Sequence, residues 1–336
     1  MPQNEAVFKR TLAALIVASG AAFILSFFLG SSGVSFGDFV QLVQGSADAA
    51  QTNIFLNIRL PRALLAFLVG SALAVAGCSL QGVFKNPMAE PYTTGISAGA
   101  ALGATISIAL GFGVTSLGVS GTTVFSFAFA LMAILIVYSI SNIRGKVSTF
   151  SLLLSGFAVS SLLSSFTYFI MMVNHDKLAN IILWNFGSVS TASWEKFTIA
   201  VPIILACCIV LMFYAKPMNI LLHGDEISQS LGVDSQKVRR NMIILTSLLV
   251  AAAVSVSGII GFVGLMVPHL LRLIVGPDNK KLLPLSFVGG GAFLLCADTI
   301  AKMVVPNTEM PVGIITAMFG VPFFIYLLRR GRKAGI

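Results

Sequence analysis

Charge is scarce in this sequence, so ionisable residues that fall near one another are informative. Only 10% of the 336 residues are Asp, Glu, Lys or Arg. Asp298 and Lys302 stand four apart, the offset of neighbours on one helix face, and read as an ion pair or an outer-edge anchor. A proton relay would need carboxylates at mid-membrane, which the apolar runs do not supply. No GxxxxGK[ST] occurs: in RGKVST, Gly145 and Lys146 lack the upstream glycine spacing, so no loop here cradles a nucleotide. There is no HExxH, and Ser, His and Asp follow no hydrolytic order. His175 is a lone histidine beside Asp176, a weak basis for an iron ligand. Cys78, Cys207, Cys208 and Cys296 lie in apolar runs without CxxC spacing and read as buried thiols, not metal ligands or disulfides. The sequence thus offers no catalytic or metal constellation, and any work it does must draw its energy from elsewhere.

The one long water-facing stretch with amphipathic order is KPMNILLHGDEISQSLGVDSQKVRR, residues 216–240. Apolar Ile220, Leu221, Leu222, Ile227, Leu231, Val233 and Val238 alternate with Asp225, Glu226, Gln229, Asp234 and Lys237. Gly232 suits the left-handed end of a helix, and Asp234 is a good N-cap. The pattern predicts two short helices joined by a glycine corner and held by something soluble. An ordinary solvated loop has the same composition.

With 57% hydrophobic residues and a mean hydropathy of +0.95, the chain is an all-α polytopic membrane protein. Ten spans are expected, at 12–29, 63–83, 94–110, 119–140, 150–173, 197–214, 242–260, 262–275, 282–300 and 312–328. The first is too long for a signal core and is kept as a span. With both termini cytoplasmic, 16 of the 21 Lys and Arg fall inside and only Arg59, Arg62, Lys177, Lys196 and Lys302 outside. The net charge of +9 therefore reports topology and not a nucleic-acid partner. The eighth span is short, about 21 Å, and needs shielding by neighbours or a cavity. Pro202, Pro268 and Pro322 predict bent helices.

Small residues recur at four-residue spacing in the second span (Gly70, Ala74, Cys78, Gly82) and the third (Gly95, Gly99, Gly103), predicting close helix packing. Between them GVFKNPMAEPYTTG carries Pro87 and Pro91 with polar Asn86 and Glu90, so the chain turns sharply at the inner face. This turn is a candidate wall of a constriction, and equally a plain tight turn. In the outer segment 31–58, Ser35 and Asp38 have capping-box spacing ahead of a short interfacial helix. The outer loop 174–196 carries Trp184 and Trp194, which suit the headgroup belt.

Several long stretches resemble the FecCD-type permeases of bacterial and archaeal ABC importers. They are RLPRALLAFLVGSALAVAGCSLQGVFKNPMAEPYTTGISAGAALGA (59–104), WNFGS (184–188), LLHGDEISQSLG (221–232), GFVGLMVPHLLRL (261–273), CADTIAK (296–302) and EMPVGIITAMFGVPFFIYLLRR (309–330). The resemblance implies one permease domain over 1–336 in the cytoplasmic (inner) membrane, with a coupling loop at 217–240. It also implies a second permease copy, two cytoplasmic ATPases that carry ATP and Mg, and an extracytoplasmic binding protein. No cofactor would be bound by this chain, which would be no enzyme. Its cargo would be an iron-siderophore or haem, with cobalamin and molybdate or tungstate as alternatives. A secondary transporter or channel that needs no ATPase is the competing class.

By the same resemblance, Leu221, Leu222, Gly224, Asp225, Glu226, Ser228, Leu231, Gly232 and Asp234 would couple to the ATPase, with Asp225 and Glu226 facing basic groups there. Ser228 stands where relatives usually carry Ala. Arg59, Arg62 and Lys302 would meet the binding protein. Asn86, Met88, Ser148 and Thr149 would form the cytoplasmic gate. Ser160, Ser161, Ser164, Thr167 and Met171 would line the pathway, which the hydroxyls of the fifth span make polar but uncharged.

Overall fold

Apolar runs with few breakers must satisfy their own backbone in lipid, and helices do so within one segment. The computed structural model describes residues 2–29, 36–113, 119–143, 146–305 and 308–333. In chain order the helices are α1 (Pro2–Phe28), α2 (Phe36–Val43), α3 (Ala49–Asn53), α4 (Leu60–Phe84), α5 (Ile96–Leu110), α6 (Gly121–Ser141), α7 (Thr149–Val173) and α8 (Leu178–Asn185). They continue as α9 (Trp194–Phe213), α10 (Ala215–Leu221), α11 (Asp225–Ser230), α12 (Ser235–Ser257), α13 (Val263–Val275), α14 (Asn279–Val304) and α15 (Val312–Lys333). A two-residue antiparallel ladder pairs Asn142–Ile143 with Lys146–Val147. Seven helices are long and apolar enough to cross a membrane, and three shorter apolar ones are Ile96–Leu110, Val263–Val275 and Val312–Leu327.

The core is built on α4, which is buried along almost its whole length and packs against α12, α13 and α14. Small residues make this possible. Gly70 lies against the Gly290 backbone of α14, and Gly77 against the Gly264 backbone of α13, so close that neither position has room for a Cβ. Gly77 is outside the four-residue stripe read from the sequence, because the helix presents different faces to α13 and α14. On α5, Gly99 and Gly103 meet the α6 backbone at Phe129 and Phe125, as expected.

Boundaries differ from the sequence reading in three places. The segment 31–58 is helical from Ala49 onward: α3, a π-helical turn (Ile54–Arg59) and α4 run on as Ala49–Phe84, because nothing between Ala49 and Leu60 breaks a helix. The interfacial helix α2 is present, while Ser35 lies outside the described residues. The third span starts after a 3-10 turn (Pro91–Thr94), with Gly95 at φ 88° as its corner. The second helix of the amphipathic loop is no separate element; it is the first turns of α12, which holds neither Gly nor Pro before Gly258. Cys78, Cys207 and Cys208 are buried thiols, but Cys296 is exposed on α14.

The short α13 is shielded as its length requires. Pro268 cannot donate to the Gly264 carbonyl one turn back, and Gln81 of α4 takes over. Its Nε2 donates to Gly264 O at 3.2 Å and to Leu265 O at 3.3 Å, while its Oε1 accepts from Arg272 Nη1 at 2.9 Å.

Candidate functional site: a clamped amphipathic module, a buried ion cluster and two cavities

The amphipathic module is assembled from within. Ala215, Met218 and Leu221 recur every three residues on α10 and are buried, with α10 packed on α4 and α14. The Ser228 hydroxyl of α11 donates to the Gly224 carbonyl at 2.6 Å and lies 3.2 Å from that of Ile220. Asp225 takes a two-pronged ion pair from Arg239 of α12, at 2.6 and 3.0 Å. Gly232, at φ 78°, forms the corner, and Asp234 caps α12 by accepting from Gln236 N and Lys237 N. Those bonds, the Lys237 N–H first, hold the Asp234 carboxyl below its usual range.

This geometry corrects the expected docking set. Leu221 and Ser228 face inward, at 1% and 0% exposure, and Asp225 is engaged by its own chain. Outward are Leu222 at 37%, Ile227 at 51% and Leu231 at 61% exposure, with Glu226, Gly232 and Asp234 exposed beside them. The Ser228 hydroxyl is an internal fastener and not a contact surface.

At the opposite end of α14, four ionisable side chains meet. Arg62 of α4 directs Nε and Nη2 at Asp298, with ion-pair distance 2.9 Å, and Nη1 at both oxygens of Glu309 at 2.9 Å. Lys302 reaches Asp298 at 2.9 Å and Ser26 Oγ of α1 at 3.1 Å. The pairing of Asp298 with Lys302 is the one the four-residue offset predicted. Two cations and two carboxylates sum to zero, which lets them share a buried site. Arg59 is buried too, donating to the Phe27 carbonyl. The three cations expected to line an outward rim are therefore enclosed, and Glu309 is the cluster's half-exposed member.

Glu309 also lines a cavity of about 510 Å3 with Trp184 and Asn180 of α8, Lys196 of α9 and hydroxyls that include Ser120, Thr123, Ser188 and Ser257. A second cavity, about 270 Å3, holds Tyr92, Ser160, Ser164, Thr167, Asn185 and Ile259. Trp184 faces the first and Asn185 the second, so the end of α8 stands between them. Of the five expected lining residues the structure brings Ser160, Ser164 and Thr167 together. Ser161 is on the exposed face of α7, its hydroxyl bonded to Phe157 O, and Met171 does not reach the cavity.

The residues expected to form a gate fall on two separate turns. Asn86 Oδ1 accepts from Met88 N at 2.9 Å, and Ser148 caps α7 by accepting from Ser151 N, with Thr149 as its first residue. The 86–95 turn is pinned at its other half to the break between α12 and α13. Glu90 Oε1 accepts from Phe262 N at 2.6 Å, and the Tyr92 hydroxyl donates to Ile260 O and accepts from Ile260 N. Burial pushes the Glu90 carboxyl up, opposed by the Phe262 bond. Glu90→Leu orphans the Phe262 N–H and is expected to cost about 1–3 kcal/mol in thermal unfolding in detergent. Glu90→Gln keeps an acceptor and should be tolerated. Since the folded state binds the Glu90 proton more tightly than the unfolded one, stability falls as pH rises just above the normal carboxylate range, and Glu90→Gln should flatten that slope.

Sequence reading missed Glu309, Gln81 and Asn219. The signal for Glu309 was a lone carboxylate ahead of an apolar run; Gln81 and Asn219 act through partners roughly 60 to 190 positions away, which no local pattern carries.

A helical bundle in which seven helices are long and apolar enough to cross a membrane, joined by three shorter apolar ones, is that of a multi-pass membrane protein. The profile of the FecCD transport family matches residues 15–330, and the chain belongs to that family. It is 45% identical to the cobalamin import system permease protein BtuC of Halobacterium salinarum over 285 residues, covering 85% of this chain and 75% of that protein. It is 39% identical to the hemin transport system permease protein HmuU of Yersinia pestis, covering 88% and 89%. The molybdate import system permease protein MolB of Haemophilus influenzae is 34% identical, with 84% of each chain covered. Among solved structures, a metal-chelate type ABC transporter in an inward-facing conformation superposes with a TM-score of 0.84 at 30% identity, covering 96% of this chain and 99% of that one.

Proposed function

We propose that this chain is the permease subunit of an ABC importer in the cytoplasmic (inner) membrane, one domain crossing ten times with both termini in the cytoplasm. It works as a homodimer with two cytoplasmic ATPases and an extracytoplasmic binding protein, and it is not itself an enzyme: ATP and Mg reside on the ATPases. The cargo is a metal chelate, iron-siderophore or haem first; relatives named for cobalamin and molybdate keep those as alternatives. The carrying observation is the amphipathic module, whose polar groups are largely satisfied internally while Leu222, Ile227 and Leu231 face outward beside Glu226. A helix surface of this kind on the basic-rich side suits the cleft of a soluble motor. We assign the docking of the binding protein to the ion-cluster end, where Arg59, Arg62 and Lys302 lie enclosed and Glu309 is the member that surfaces. Asn86, Met88, Ser148 and Thr149 form the cytoplasmic gate, and Ser160, Ser164 and Thr167 the polar lining.

The test is uptake into proteoliposomes by the purified permease, alone and with its ATPase and binding protein, using iron chelates, haem, cobalamin and molybdate in parallel. Uptake of one class is expected only when all parts and ATP are present. Transport by the permease alone would reject the reading in favour of a secondary transporter.

A further inference from the structure

One amide joins the amphipathic module directly to the start of α14. Asn219 of α10 donates from Nδ2 to Asp278 Oδ1 at 2.6 Å. Its Oδ1 accepts from Asn279 N at 2.9 Å and from Asn279 Nδ2 at 2.8 Å. Asn279 is the first residue of α14, and its N–H is one of the donors that a helix start leaves without an intrahelical partner. Asp278 meanwhile caps α14 by accepting from Lys280 N at 3.0 Å. The α14 N-terminus is thus capped jointly by its own Asp278 and by a side chain of α10.

From that joint α14 runs 26 residues along α4. Its rise of 1.5 Å per residue carries it roughly 28 Å from Asn279 to Asp298, where it enters the Arg62, Lys302 and Glu309 cluster. At the near end Ser228 fixes α11 to α10, and the buried face of α10 rests on α4 and α14. A rotation of α10 and α11 therefore bears on α14 through Asn219, and α14 ends at the ion cluster. We infer that Asn219 is the positioning residue that joins the amphipathic module to α14, so that motion imposed on the module reaches the ion-cluster end of the bundle. This rests on the importer reading, in which a soluble motor moves the module.

The test reads the ratio of cargo taken up to ATP hydrolysed in the complete transporter, reconstituted with its ATPase and binding protein. Asn219→Asp sets a carboxylate against Asp278 and should lower that ratio about tenfold. The exchange Asn219→Asp with Asp278→Asn restores one donor facing one acceptor, and asparagine caps a helix as well as aspartate. That double variant should return the ratio to within about twofold of wild type, a rescue that the mere loss of a structural bond would not give. A wild-type ratio in Asn219→Asp overturns the inference, as does a double variant no better than the single one. If Asn219→Asp does not assemble, Asn219→Ala decides, since it removes the three bonds without repulsion; a wild-type ratio there overturns the inference. Absence of ATP-dependent uptake from the wild-type complex would instead count against the importer reading itself.

Discussion

Asp298→Ala is expected to destabilise the protein by about 3–5 kcal/mol, because it strips the shared counter-charge from two buried cations at once. Asp298 is 1% exposed and stands within 2.9 Å of both Arg62 and Lys302. Without it Lys302 keeps only the Ser26 hydroxyl, and Arg62 keeps only Glu309 on one side of its guanidinium. Neither cation has an easy route to water, so the desolvation cost goes unmatched. The loss should appear as a large drop in thermal unfolding temperature in detergent. Asp298→Asn should be intermediate, since it keeps an acceptor and the shape while leaving the cluster with excess positive charge. The decisive comparison is the apolar triple, Arg62→Met with Asp298→Leu and Lys302→Met, which removes the charges together and should recover much of the stability. An Asp298→Ala protein within about 1 kcal/mol of wild type would show that water reaches the cluster and that its charges are screened. Charge reversal at Arg59, Arg62 and Lys302 would incur the same cost, so loss of binding-protein capture in such a variant would not by itself identify a docking surface.

Helices were legible where lipid leaves the backbone no other choice. The apolar runs of α5, α6 and α7 begin and end within a few residues of where composition placed them, and Asp298 with Lys302 could be paired from their offset alone. Continuity was harder to read. Polar residues such as Gln51, Thr52 and Asn53 look like loop, yet they are helical because the turn chemistry that would stop them is missing and Asp48 caps them with a complete capping box. At the candidate site, the sequence marks which stretch is amphipathic but not which of its faces is already taken. Leu221 and Leu222 are neighbours of the same type, and only the packing of α10 on α4 makes one core and the other surface. Asp225 reads as an available carboxylate until Arg239, 14 positions on, is seen to hold it. Partners that far apart carry no periodic signal, so residues that look equivalent in sequence separate into fasteners and contacts only once the helices are docked.

That separation gives the second large effect. Ile227→Glu with Leu231→Glu is expected to abolish co-purification with the ATPase, weakening association by roughly a hundredfold or more. Both side chains are more than half exposed, and no hydrogen bond or ion pair of the module depends on them. The variant should therefore unfold at the wild-type temperature, while any partner that buries this face must now desolvate two carboxylates where it met aliphatic surface. Ser228→Val should do the reverse. It leaves the outward face untouched but removes the hydroxyl that binds the Gly224 carbonyl and approaches that of Ile220, so the module should loosen, read as faster amide exchange across α10 and α11. The two results together distinguish a docking surface from a solvated loop. A loop that merely connects α9 to α12 would tolerate Ile227→Glu with Leu231→Glu in every assay, and full ATPase binding by that variant would remove the module from the transport mechanism.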